Sequence, residues 1–215
     1  MALKLMALKA VVFDVGETLV DETRMWEEWA DRLGVPHLTF LATLGGVIAR
    51  GEDHRRVFEL VRPDFDVDRA LREGVGNGFR PADLYDDALP CIERLRADGY
   101  RVGLAGNQPE ETARTLDGLG VPADFVGSSA AWGAWKPSPL FFVRVAEEAG
   151  CEPGEVAYVG DRIDNDVIPA ATAGMVAVFL RRGPWALLHA HRPEASVARL
   201  TVDSLAELPE ALRGL

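Results

Sequence analysis

The stretch Lys9-Ala10-Val11-Val12-Phe13-Asp14-Val15-Gly16-Glu17-Thr18-Leu19 decides how this chain is read. A short β-favouring apolar run that ends in one carboxylate predicts a buried parallel strand delivering an acid to the C-terminal edge of a sheet. Open α/β sheets bind their ligands at that edge, which makes Asp14 the first candidate for chemistry.

Further strands are predicted outward from this one, over Tyr100 to Ala105, Asp124 to Gly127, Val156 to Val159 and Val176 to Leu180. Helical stretches separate them: one after Pro90 carrying Ile92 and Leu95, then Glu110 to Leu119 and Leu140 to Ala149. This alternation predicts an α/β fold with a doubly wound parallel sheet. Residues 22–71 carry helical spacing instead. Trp26, Trp29, Ala30 and Leu33 form one stripe, and Leu38, Leu41, Leu44 and Ile48 a second. Val57, Leu60 and Val61 suggest a third helix, and Val67, Ala70 and Leu71 a fourth. Gly74-Val75-Gly76-Asn77-Gly78 reads as a return linker. The expected organisation is a sheet domain from residues 1–20 and 80–215, with a small all-α insertion at 21–79.

Bulk properties narrow the partners. The chain has 215 residues, 48% of them hydrophobic, enough for a sizeable core. A formal net charge of −11 opposes non-specific binding to nucleic acid or to an anionic membrane surface. No apolar stretch reaches membrane-spanning length, and the first nine residues lack the cleavage region of a signal peptide. Cys91 and Cys151 show no metal-type or redox-type spacing and read as reduced thiols of a cytoplasmic protein. A small-molecule substrate is expected, with the chain a monomer or a homodimer.

Three more strand ends carry candidate residues. Gly106 and Asn107 follow the second strand, where backbone N–H groups ahead of a helix suit a phosphate. Lys136 follows the third strand and is a candidate counter-charge to a carboxylate and a phosphate. Asp161, Asp164, Asn165 and Asp166 follow the fourth. Oxygen ligands of this kind suit Mg²⁺, and the calcium-loop pattern is not met because Ile163 occupies a ligand position.

These four pieces, in this order, resemble the haloacid dehalogenase superfamily of phosphatases and related hydrolases, with its helical first-type cap. The resemblance implies a Rossmann-like core and a Mg²⁺-dependent phosphatase acting on a small phosphorylated metabolite. Asp14 would attack phosphorus and form an aspartyl-phosphate that water hydrolyses. The resemblance assigns metal binding to Asp14, the Gly16 carbonyl and Asp161, with Asp166 supporting the water shell. It assigns phosphate binding to Gly106, Asn107 and Lys136, and makes Lys136 the catalytic counter-charge.

Two departures stand out. The family's phosphatases carry an acid two positions after the nucleophile, where this chain has Gly16. They also carry a hydroxyl where this chain has Gly106. A lost general acid–base group slows catalysis by roughly 10² to 10⁴, so a slow or leaving-group-selective enzyme is expected. The alternative is a catalytically impaired phosphate- or metal-binding protein with a regulatory role. Glu17, His37 and His54 are the other proton sources considered, and for Glu17 a structural role is favoured. Arg50, Arg55 and Arg56 are either a solvated face or contacts to an anionic substrate. Trp26 and Trp29 are read as core of the insertion ahead of substrate stacking. Dehalogenation is disfavoured by the metal-type run and by the absence of an aromatic residue at position 16.

Overall fold

The computed structural model describes residues 7–76, 78–110, 115–116 and 118–215. Six strands form one parallel sheet: β1 (Ala10–Phe13), β2 (Arg101–Gly106), β3 (Phe125–Ser128), β4 (Val156–Gly160), β5 (Val176–Leu180) and β6 (Leu200–Val202). Their order across the sheet is β3-β2-β1-β4-β5-β6. The order reverses on either side of β1, so the switch point lies at the end of β1, where Asp14 stands. Side chains of β1 alternate between two apolar layers, Val11 and Phe13 on one face and Ala10 and Val12 on the other. Burial on both faces explains why this strand reads as an unbroken apolar run.

The helices of residues 23–72 are α1 (Thr23–Leu33), α2 (His37–Ala49), α3 (Arg56–Val61) and α4 (Val67–Arg72). They enclose an apolar cluster of their own, built around Trp26, Trp29, Phe40, Val47 and Phe58. The expected stripes need correction in two places. Leu38 is 81% exposed and Leu60 50%, and the buried positions are Phe40, Leu44, Val47 and Ile48 on α2, and Val57 and Phe58 on α3. The sheet domain contributes to the same cluster through Trp185, on a helix at Gly183–His189 that the strand–helix reading did not include. Buried His189 bonds the Ile48 carbonyl through Nε2 at 2.8 Å, tying this helix to the end of α2.

The predicted helix at 110–119 falls largely on residues outside those described. Cys91 is buried, Cys151 is half-buried, and neither forms a disulfide. No single described helix is long and apolar enough to cross a membrane.

Candidate active site

Parallel pairing brings the ends of β1, β2 and β4 side by side, with Phe13 level with Leu104 and Val159. Asp14 therefore emerges between the β2 turn that carries Gly106 and the β4 turn that carries Asp161. Its backbone N–H donates to the Val159 carbonyl at 2.9 Å, which continues the ladder one residue past the strand and fixes the direction of the side chain.

The Lys136 ammonium lies 2.7 Å from Asp14 Oδ1 and 2.6 Å from Asp166 Oδ1, and all three side chains are buried. Asn107 holds the lysine in place. Its side-chain amide donates to the Lys136 carbonyl at 3.0 Å, and its Oδ1 accepts from the Lys136 backbone N–H at 2.8 Å. The Asn107 side chain is thus a brace for Lys136. A Cβ at Gly106 would lie 2.7 Å from Asp14 Oδ1, so a side chain there would need the carboxylate to move. The hydroxyl missing at this position has no room beside Asp14 as the carboxylate stands.

Asp14, Asp161 and Asp166 each offer an oxygen within 4.8 Å of the others. Asp166 Oδ2 also accepts the Arg162 backbone N–H at 2.9 Å, whereas buried Asp161 Oδ2 has no partner. Burial, followed by the neighbouring carboxylates Asp166 and Asp14, pushes the Asp161 carboxyl well above the usual range. Burial also raises Asp166, to about 6, against the opposing pull of Lys136. Burial by itself would lower the Lys136 ammonium, but Asp14 and Asp166 outweigh it and hold it well above the ordinary lysine range. An unpartnered buried oxygen amid hard carboxylate donors matches what Mg²⁺ takes from a protein. Asp164 lies outside the group, paired with its neighbour Arg162.

Position 16 is where the structure adds most to the sequence. A Cβ built on Gly16 would collide with Glu22 Oε1 and lie 2.8 Å from the Glu22 carboxyl carbon. Sequence reasoning passed over Glu22, because its only local signal is an acid at a predicted helix start. Burial, then the charges of Glu17 and Asp14, push its carboxyl up to about 8, while the Trp26 indole N–H and Arg162 pull the other way.

The other proton sources considered separate clearly. Glu17, at φ 52°, accepts the Glu22 backbone N–H at 3.0 Å on Oε1 and the Tyr85 hydroxyl at 2.9 Å on Oε2. It clamps the two chain crossings between sheet and insertion, in keeping with a structural role. Burial raises its carboxyl. His37 is on the surface and bonded to Asp31, which raises its imidazole. His54 lines the site cavity between Trp26 and Trp185, and burial lowers its imidazole.

The cavity, of about 1020 Å³, lies between the strand ends and the insertion, and Asp14, Gly16, Asn107, Lys136 and Asp161 open onto it. Trp26 and Trp29 line it as well as filling the helical cluster. Arg55 reaches the cavity, while Arg50 and Arg56 pair with Glu52 on the surface.

Residues 8–174 match the haloacid dehalogenase-like hydrolase family. The chain belongs to that family. It is 30% identical to a glyceraldehyde 3-phosphate phosphatase of Methanopyrus kandleri, over 97% of this chain and 98% of that one. A phosphoserine phosphatase of Thermus thermophilus is 33% identical over 86% of this chain and 73% of its own length. Among solved structures, a HAD phosphatase from Thermococcus onnurineus superposes with a TM-score of 0.63 at 27% identity, covering 96% of this chain and 99% of that one. The L-2-haloacid dehalogenase of Xanthobacter autotrophicus reaches a TM-score of 0.69 at 20% identity, covering 97% of this chain and 99% of its own. That likeness concerns the fold alone.

Proposed function

We propose that this hydrolase is a Mg²⁺-dependent phosphatase acting on a small phosphorylated metabolite through Asp14. One observation carries the reading: a strand-end carboxylate bonded to a buried lysine, grouped with two further buried carboxylates, and open to a cavity. Asp161 and Asp14 would hold the metal, with Asp166 behind them keeping Lys136 and the Arg162 backbone in register. Bound there, Mg²⁺ would offset charge on the phosphoryl oxygens. Lys136 orients the Asp14 carboxylate and offsets its charge as phosphorus approaches. Asp14 then bonds phosphorus, and water hydrolyses the aspartyl-phosphate. Helices α1–α4 would act as a cap over the site, an arrangement supported by the apolar cluster they build, joined by Trp185, and by the cavity beneath them. The relatives named for glyceraldehyde 3-phosphate and phosphoserine support a small substrate.

The test is phosphate release with Mg²⁺ from aryl, acyl and alkyl phosphates, comparing wild type with Asp14→Asn. Turnover that disappears in Asp14→Asn supports the assignment. Absence of turnover by wild type on every class would refute it.

A further inference from the structure

Gly16 puts no acidic side chain two positions after Asp14, yet the volume beside it is filled. Glu22 occupies that volume with its carboxylate, and lines the same cavity as Asp14, Lys136 and Asp161. It stands at the N-cap position of α1 without a side-chain capping bond, and Glu17 pins its backbone N–H at 3.0 Å. Arg162, the cation that acts on it, is itself committed to Asp164 through two bonds of 3.1 and 2.6 Å. The Glu22 backbone is therefore held in position, and its carboxylate, beside the Trp26 indole, faces the cavity where a substrate would sit.

We propose that Glu22 is the acid–base residue of this enzyme, reaching from the start of α1 into the place where a side chain at position 16 would stand. The inference rests on the phosphatase reading above and on the location of the carboxylate. As an Asp14 oxygen bonds phosphorus, the ester P–O bond breaks and its electron pair goes to the leaving oxygen. That oxygen takes the proton of the Glu22 carboxyl and departs as an alcohol. Water then bonds phosphorus, the aspartyl P–O bond breaks back to Asp14, and the Glu22 carboxylate takes the proton of the water. A phosphate ester and water thus yield an alcohol and phosphate, and Glu22 returns to its starting state.

The test compares kcat/KM across phosphate esters with leaving groups ranging from nitrophenol to simple alcohols. Nitrophenolate departs without a proton, whereas an alkoxide needs one. In Glu22→Gln, alkyl esters should lose roughly 10² to 10⁴, the usual worth of a general acid–base group, while nitrophenyl phosphate loses less than about tenfold. Thermal melting verifies that the variant is folded. Relocating the carboxylate gives an independent measurement. Gly16→Asp alone collides with Glu22 and should not improve turnover, whereas Gly16→Asp combined with Glu22→Ala should recover at least about tenfold on alkyl esters over Glu22→Ala alone. Gly16 does not have a left-handed backbone, so it accepts a side chain once Glu22 is shortened.

Equal losses on both ester classes in a folded Glu22→Gln would overturn the proposal, as would no recovery in the double variant. An inactive Asp14→Asn together with an unchanged leaving-group dependence in Glu22→Gln removes Glu22 and leaves the phosphatase reading standing. Full activity in Asp14→Asn, or no wild-type turnover, removes both.

Discussion

Replacing Lys136 by Met tests the electrostatic design of the site while keeping most of the buried volume. In the native arrangement its ammonium bridges Asp14 and Asp166 at 2.7 and 2.6 Å, beside an Asp161 oxygen with no partner. Lys136→Met leaves three buried carboxylates grouped together without that cation. Removing one partner of a buried ion pair typically costs about 3–5 kcal/mol, because the remaining charge stays desolvated. At about 2–4 °C per kcal/mol for a chain of this size, the melting temperature should fall by about 6–20 °C. The loss should depend on pH. Asp166 and Asp161 already sit above the usual carboxylate range, so the folded state binds more protons than the unfolded chain, and stability falls as pH rises from near 4 through about 6. Without Lys136 these groups move higher still, so the destabilisation should be larger at pH 8 than at pH 5. Urea unfolding in EDTA at both values is the assay. Mg²⁺ should restore part of the loss at pH 8 by binding only the folded state. A loss below about 1 kcal/mol at pH 8, set against the usual range for a broken buried pair, would refute the reasoning, as would equal losses at both pH values.

Asp161→Asn removes a buried charge, and should raise the metal-free melting temperature at pH 8 while abolishing the increase that Mg²⁺ gives wild type; an undiminished Mg²⁺ response would exclude Asp161 as a ligand. Tyr85→Phe takes the 2.9 Å donor from a buried Glu17 oxygen and should cost about 1–3 kcal/mol in urea unfolding. An unchanged midpoint would show that Glu17 does not clamp the crossing. Trp185→Ala removes the one aromatic ring that the sheet domain lends to the helical cluster, and should cost about 3–5 kcal/mol. It should also make α1–α4 more susceptible to limited proteolysis, and proteolysis unchanged from wild type would contradict that packing.

Strands β1, β4 and β5 were legible as apolar runs of four or five residues, and β2 and β3 as shorter apolar stretches ahead of turn signals. Asp14 and Asp161 directly follow β1 and β4. β6 was not legible: three residues, flanked by Arg199 and Asp203, carry no run and no alternation. The helical face of α2 was misjudged because nearly every residue from Leu38 to Ala49 is small or apolar, so periodicity has no polar side to define it. Glu22 lay beyond reach for a different reason. Its relation to Gly16 is one of shared volume between a turn and a helix start, and no spacing rule encodes volume. Asn107 shows the opposite limit: its position was found, but whether its amide faces a ligand or a neighbouring loop depends on a contact 29 residues away.

Glu22 stands at the N-cap position of α1, where the chain crosses from the sheet to the helices, whereas Asp14 stands at the end of β1 and Lys136, Asp161 and Asp166 lie in the segments that follow β3 and β4. A carboxylate at position 16 would ride on the same rigid support as the nucleophile. One at position 22 rides on the part of the chain that leaves it. A rotation of the helices about that crossing that breaks the bond from the Glu22 N–H to Glu17 would carry the proton donor away while the phosphorus-binding apparatus stays behind. Such a rotation must also break the Trp26–Trp185 contact and the bond from His189 to the Ile48 carbonyl. If Glu22 is the proton donor, chemistry and closure would share one mechanical interlock: an open molecule would hold a phosphate ester, but only a shut one would release an alcohol from it.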